Sequence, residues 1–255
     1  MAQTRGPERS RSGCLQDEFD RATALHRAGR LADAERGYRA VLRRAPEHFG
    51  ALHLLGVIAL QTRHTGRAVA LIRKAVALNA SVAQAHNDLA KALLELNRPA
   101  EALSSLDKAI ALAADLAEAH NHRGRALAAM RRYEEAVASH DRAIALKPGV
   151  AAAHSNRAYA LESLRRYAEA LASYDKAIAF RPDLAALYNN RGNVLMKLNG
   201  HHEALASFDR ALAMNPGLGE AHHNRGEVLN SLKRHAEAAA AYAASLRAKP
   251  KFPFT

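Results

Sequence analysis

Residues 151–184 read AAAHSNRAYALESLRRYAEALASYDKAIAFRPDL, and residues 185–218 read AALYNNRGNVLMKLNGHHEALASFDRALAMNPGL. Set one under the other, they align Asn156 with Asn190, Arg157 with Arg191, Ala170 with Ala204, Asp175 with Asp209 and Pro182 with Pro216. Outward from this pair, Pro46, Pro148, Pro182, Pro216 and Pro250 fall on one 34-residue grid, with Ala80 and Ala114 at the two remaining points. With the proline as position 32, seven repeats begin at Leu15, Phe49, Ala83, Ala117, Ala151, Ala185 and Gly219. Position 20 is then always alanine (Ala34, Ala68, Ala102, Ala136, Ala170, Ala204, Ala238). Position 8 is always small: Ala22, Gly56, Ala90, Gly124, Ala158, Gly192 and Gly226.

The pattern inside one repeat is that of two helices, A and B. Positions 4, 7, 8 and 11 share one face at helical spacing, as do 20, 24, 27 and 28. Small residues at 8 and 20 permit close approach, Leu25, Leu93, Leu127, Leu161, Leu195 and Leu229 at position 11 fill the space beside them, and position 24 is usually large. Proline at 32 stops helix B, because it lacks a backbone donor and restrains the residue before it. One 34-residue hairpin buries too little to stand alone, so an all-α stack of hairpins is expected.

Composition agrees. The 255 residues are 49% hydrophobic but only 5% aromatic, without tryptophan, which suits close-packed helices better than a large aromatic core. Cys14 is the sole cysteine, so neither an intramolecular disulfide nor a thiolate cluster can form. Four of the 14 histidines (His86, His120, His154, His222) recur at position 4, on successive hairpins too far apart to share a metal ion. No metal, cofactor or catalytic constellation is expected: there is no phosphate-cradling glycine loop, nucleophile elbow or H-E-x-x-H. No run of 18 apolar residues exists and the start lacks a secretory apolar stretch, so a soluble cytoplasmic protein without membrane insertion is expected. The net charge of +12 is spread along the chain, and the turns between helices A and B are repeatedly basic (Arg30, Arg63, Arg98, Arg131, Arg132, Arg165, Arg166, Lys233, Arg234).

The 34-residue period with Gly/Ala at 8, Ala at 20 and Pro at 32 resembles the tetratricopeptide repeat (TPR) over residues 15–250. The resemblance implies a right-handed superhelical solenoid of seven helix-turn-helix repeats, preceded by a disordered segment (1–14) and followed by a tail (251–255) without a capping helix. That uncapped end makes self-association possible, as does continuation of the natural protein. The chain departs from the family at position 4, where tryptophan is favoured and Glu18, Leu52, His86, His120, His154, Tyr188 and His222 stand here; looser packing is expected there. In the family, helix A lines a concave groove through positions 2, 5, 6, 9 and 12. Those positions nominate Asn87, Asp88, Lys91, Asn121, His122, Arg125, Asn156, Asn189, Asn190 and Asn224 as a peptide-binding groove, since a carboxamide can both donate to and accept from a peptide backbone. Leu54 and Val57 make the early part of that groove apolar. Glu118, Glu162, Glu220 and Glu227 among the same positions argue against nucleic acid.

Two functions follow as expectations. One is a non-catalytic scaffold holding an extended peptide or partner segment. The other is the substrate-recognition arm of a glycosyltransferase lacking its catalytic domain, because the carboxamides resemble those of bacterial O-linked N-acetylglucosamine transferase-like proteins. High alanine and arginine usage resembles a bacterial protein.

A pairing is also predicted. Arg123, Arg157, Arg191 and Arg225 stand at position 7, and Asp107, Asp141, Asp175 and Asp209 at position 25 one repeat earlier. Joining each aspartate to the arginine 16 residues later leaves none over, and predicts four repeat-to-repeat salt bridges that fix register more than they stabilise.

Overall fold

The computed structural model describes residues 8–248, with side chains from Cys14 onward. The described residues form fourteen helices and no strand. Seven A helices, α1 (Glu8–Arg27), α3 (Phe49–Gln61), α5 (Ala83–Glu95), α7 (Ala117–Ala129), α9 (Ala151–Ser163), α11 (Ala185–Lys197) and α13 (Gly219–Ser231), alternate with seven B helices. These are α2 (Leu31–Arg44), α4 (Thr65–Leu78), α6 (Pro99–Leu112), α8 (Tyr133–Leu146), α10 (Tyr167–Phe180), α12 (His201–Met214) and α14 (His235–Ala248). From the second repeat on, the A helices start at the repeat starts read from the grid. The first does not: α1 begins at Glu8, so residues 8–14, expected to be disordered, are helical. No proline interrupts Glu8–Leu15, and a helix nucleated downstream extends at little further cost. Arg44 of α2 also ties down this turn, donating to Glu18 at 2.7 Å and to the Cys14 sulfur at 3.7 Å. Residues 1–7 and the tail 251–255 lie outside the described residues.

The chain divides into two compact units, residues 1–126 and 127–255. In the first, hairpins α1/α2, α3/α4 and α5/α6 pack in series, with α3 also touching α5. In the second, α8 leans on α9, and hairpins α9/α10, α11/α12 and α13/α14 follow, with α11 touching α13. Each unit is thus a run of stacked helical hairpins with a continuous alanine-rich core. Ala68, Ala90, Ala102 and Leu106 are fully buried in the first, and Ala204, Phe208, Ala211 and Leu229 in the second.

Close approach within a hairpin has a definite steric basis. A Cβ on Gly56, Gly192 or Gly226 would lie 2.5, 2.6 or 2.7 Å from Ile72, Phe208 or Tyr242, respectively. Those are positions 8 and 24 of one repeat, so the missing side chain on helix A makes room for the large one on helix B. Position 8 carries a methyl at Ala90 beside the slimmer Leu106, but also at Ala22 and Ala158 beside the buried Tyr38 and Tyr174, so the tight glycine fit belongs to the repeats of Gly56, Gly192 and Gly226. Every A–B turn then reverses through position 15 with positive φ: Gly29 (75°), Arg63 (62°), Asn97 (55°), Arg131 (60°), Arg165 (60°), Asn199 (59°) and Lys233 (60°). The residue after it bonds back five residues, as His64 N–H does to Ala59 O at 2.8 Å, which closes a Schellman-type helix end.

Two polar devices join one repeat to the next. At position 4, Nε2 of His86, His120, His154 and His222 bonds the carbonyls of Ala80, Ala114, Pro148 and Pro216 at 2.8–3.0 Å. Tyr188 donates its hydroxyl to Pro182 O at 3.3 Å. All five acceptors occupy position 32 of the preceding repeat, so the polar position 4 is a latch on the inter-repeat turn. Packing is tight at His86 and His154, 2% and 8% exposed, while His120, Tyr188 and His222 are half-buried. At position 7 the predicted bridges form, Arg123–Asp107 at 2.8 Å and Arg157–Asp141, Arg191–Asp175 and Arg225–Asp209 at 2.6 Å. Arg157 and Arg191 also donate to Ser173 and Ser207 of their own repeats at 2.7 and 2.8 Å. The aspartates are half exposed, so each bridge contributes only tenths of a kcal/mol, about what a surface pair does.

The steric reading is open to a direct check. A mid-helix Gly→Ala change ordinarily stabilises by about 0.5–1 kcal/mol, but overpacking costs about 1–3 kcal/mol. Gly192→Ala should therefore lower stability to urea by about 1 kcal/mol, and Gly192→Ala with Phe208→Leu, which copies the Ala90/Leu106 pair, should recover most of it. A double variant no better than the sum of the single ones would remove the position 8–24 coupling.

Candidate peptide-binding faces on the A helices

Successive helix positions are turned by about 100°, so positions 5 and 6 meet different surroundings. In the first unit, position 5 looks toward the next A helix. His53 of α3 bonds Asp88 of α5 at 2.8 Å, and Gln84 donates to the other oxygen of that carboxylate at 3.1 Å. Asn87 Oδ1 faces Nδ1 of His122 on α7 at 2.8 Å, and Asn87 is only 1% exposed. Of the nominated residues here, Asn87 is therefore enclosed, Asp88 is hydrogen-bonded to His53 and Gln84, Asn121 is half-buried, and Lys91 and Arg125 at position 9 are exposed. Leu54 and Val57 are half-buried.

His122 is largely desolvated, and Arg125 and Lys91 add positive potential; together they hold its imidazole down to about 4, with Asp88 opposing weakly. At neutral pH the ring is thus uncharged, and the hydrogen on Nδ1 is donated to Asn87. Two exposed cations flank a neutral polar floor.

In the second unit the same positions give a face rich in carboxamides. Asn156, Asn190 and Asn224 at position 6 of α9, α11 and α13 are half-buried, and so is Asn193 at position 9. Asn224 Nδ2 donates to Asn193 Oδ1 at 2.7 Å. Asn189 at position 5 is 3% exposed; its amide reaches Asn190 at 3.4 Å while its own oxygen has no partner. Like Asn87, Asn189 is enclosed and does not present its amide to an incoming chain, because position 5 is covered by packing between neighbouring A helices.

Sequence reasoning passed over two residues that matter here. Asn193 was hidden because position 9 varies from repeat to repeat and only its cations, Lys91 and Arg125, were nominated, whereas the nominated carboxamides stand at positions 5 and 6. Tyr174 looked like a core residue, and it is 1% exposed, but Glu162 and Asn190 are the polar groups that act on its hydroxyl. Burial and the Glu162 carboxylate both push the phenol above its usual range.

Beside Asn156 lies a cleft of about 640 Å³ lined by Val150, Ala152, Phe180, Leu184 and Ala186. It opens because position 2 is alanine in both repeats here, where Gln84, Glu118 and Glu220 stand in others. Phe180 is 44% exposed at its rim and stacks on His154, centroids 5.5 Å apart. The basic A–B turns are partly neutralised: Arg30, Arg98, Arg132, Arg166 and Arg234 each clasp an acid three residues on. Among the described residues no three His, Cys, Asp or Glu side chains could hold a metal ion, and no helix is long and apolar enough to cross a membrane.

The buried imidazole makes stability fall toward acid. Its folded value of about 4 lies below the unfolded value near 6.5. Above about pH 6.5 both states are neutral and the residue contributes nothing to the slope. Between about 6.5 and 4 the unfolded chain binds the proton first, so stability drops, and the loss levels off below about 4. His122→Gln should show a shallower decline over that window in thermal melts; identical slopes would mean that the ring is not held neutral.

The chain matches the tetratricopeptide repeat family model over residues 19–80, 60–117 and 189–253, a second tetratricopeptide repeat model over 117–149 and a TPR repeat model over 163–199. No curated protein matches it in sequence. Among solved structures it is similar to YrrB, described as a TPR protein with an unusual peptide-binding site (21% identity, 71% of this chain and 93% of that one, TM-score 0.60). It is also similar to PilF of Pseudomonas aeruginosa (22%, 80% and 93%, 0.69) and to a tetratricopeptide repeat protein of Parabacteroides merdae (17%, 93% and 94%, 0.70). These likenesses are of fold. With the 34-residue hairpins, the small residues at 8 and 20 and the family match over most of the sequence, the chain belongs to the tetratricopeptide repeat family.

Proposed function

We propose that this protein is a non-catalytic interaction scaffold that holds an extended peptide segment along its A helices. The observation that carries the reading is the recurrence of Asn156, Asn190 and Asn224 at one register position of α9, α11 and α13, all half-buried. A carboxamide held at fixed intervals by rigid helices suits the repeating donors and acceptors of an extended backbone, whatever its side chains. Asn193 orients the Asn224 amide, which lowers the entropy lost on binding. The apolar cleft beside Asn156 offers room for a side chain of the bound segment. Peptide binding by YrrB, a relative in fold, is consistent with this reading. The same amides also suit the recognition arm of an O-linked N-acetylglucosamine transferase-like enzyme, which an open reading frame continuing into a nucleotide-sugar domain would favour. Self-association through the last repeat is a further proposal, read out by solution mass.

The test is a displayed library of random extended peptides panned on the whole chain. Asn156, Asn190 and Asn224 changed together to alanine should cut retention of enriched peptides at least about tenfold, the worth of one or two hydrogen bonds. Helical circular dichroism should be preserved. Unchanged retention by the folded triple variant would falsify the carboxamide reading.

A further inference from the structure

One buried group on α11 is left over from the groove. Asn189 is 3% exposed, yet its Oδ1 has no hydrogen-bond partner. Its amide nitrogen is turned to Asn190 Oδ1 at 3.4 Å, so exchanging the two ends of the carboxamide would set two oxygens against each other there. An enclosed acceptor without a donor is costly, and nearly all such atoms in folded chains are met.

The first unit shows which donor belongs at this place. Asn87 stands at the same position 5 of α5, is 1% exposed, and its Oδ1 meets Nδ1 of His122, position 6 of the next A helix, at 2.8 Å. His122 follows Asn87 by 35 residues, and the residue in that relation to Asn189 is Asn224 of α13. In both side chains the donor nitrogen is bonded to Cγ, so Asn224 Nδ2 has the reach of His122 Nδ1. Asn224 is turned elsewhere: it donates to Asn193 Oδ1 at 2.7 Å. Asn193 follows Asn189 by one helical turn, which puts the two acceptors on one face of α11, about 6 Å apart along its axis, and α13 touches α11. In the first unit the place of Asn193 is taken by Lys91, which cannot accept a hydrogen bond. Of these two places, His122 finds an acceptor at one and Asn224 at both.

We infer that the Asn224 amide has two positions, closed on Asn193 or turned onto Asn189, and that a backbone N–H of the bound segment selects the second by taking Asn193 Oδ1. The inference rests on the groove reading for its ligand. Rotation about the Asn224 side-chain torsions exchanges one bond for another, so the balance is set by what else meets Asn193. With ligand on Asn193 and Asn224 on Asn189, the buried acceptor is met as Asn87 is. Asn193, half-buried and open to solvent, is then a direct contact of the bound segment. Asn189 is a positioning residue that acts through Asn224 without touching the ligand. The exchange also confers a specificity on the otherwise sequence-blind carboxamides: the residue lying over Asn193 is not proline, which has no N–H to give.

The test is a double-mutant cycle in urea on the whole chain. Asn193→Ala should change the unfolding constant less than about twofold, because the amide moves to Asn189. In an Asn189→Ala background the same change should cost about fivefold, the worth of one hydrogen bond. In an Asn224→Ala background the coupling between the two sites should vanish. Additive effects, or coupling that survives Asn224→Ala, overturn the exchange. Should Asn189→Ala not fold, the nitrogen-15 side-chain amide of Asn224 in Asn193→Ala decides: magnetisation transfer to Asn189 supports the second position, and its absence overturns it. Peptides enriched by panning should lose about fivefold in retention with Asn193→Ala. In one of them, N-methylation at a single nitrogen should cost the same and add nothing to Asn193→Ala. Retention indifferent to Asn193→Ala overturns the contact and leaves the groove standing. Panning that enriches no peptide overturns the groove and this ligand, while the urea cycle reads the exchange without any peptide.

Discussion

Two helices rich in alanine can bury enough surface only if they come close, and everything else in this protein follows from that approach. Alanine brings a single methyl to an interface, so it stabilises through proximity of backbones rather than through bulk. At position 20 the seven alanines keep helix B near helix A. At position 8 the requirement is sharper: beside Ile72, Phe208 and Tyr242 there is no space for a Cβ at all. In those three repeats the glycine makes room for the large residue across the hairpin, and each repeat is a unit because its two halves fit one another.

Between hairpins the means are different. The position 4 latch and the position 7 bridge are polar, half exposed in several copies, and individually weak. Their contribution lies in recurrence. In a linear array each repeat touches only its neighbours, so register has to be specified anew at every step. A hydrogen bond from position 4 to the carbonyl at position 32 sets where the next A helix starts. The arginine between Asp141 and Ser173, or between Asp175 and Ser207, sets its phase. Apolar packing of interchangeable alanines would tolerate slippage; these directional bonds do not.

The same helix periodicity separates structural from functional polar residues. Position 5 is drawn into the seam between A helices, where His53 meets Asp88 and Asn87 meets His122. Position 6 is turned about 100° from it: in the first unit it supplies the partners Asp88 and His122 for that seam, and in the second Asn156, Asn190 and Asn224 stay half-buried with access to solvent. Neighbouring asparagines in one sequence pair, Asn189 and Asn190, accordingly have different fates: one is enclosed with an unmet acceptor, the other is half-buried and keeps access to solvent.

The sequence by itself determined the period, the two-helix unit, the small residues at 8 and 20, and even the pairing of each aspartate with the arginine 16 residues on, because these repeat and repetition makes register countable. Only the tertiary structure decided which carboxamides remain accessible, that position 4 is a latch rather than a loose contact, and that residues 8–14 continue the first helix. Those outcomes depend on what stands opposite each side chain on a neighbouring helix. Asn193 and the cleft beside Asn156 were illegible for the same reason: each arises from side chains of different repeats meeting in space, where the local sequence departs from the period.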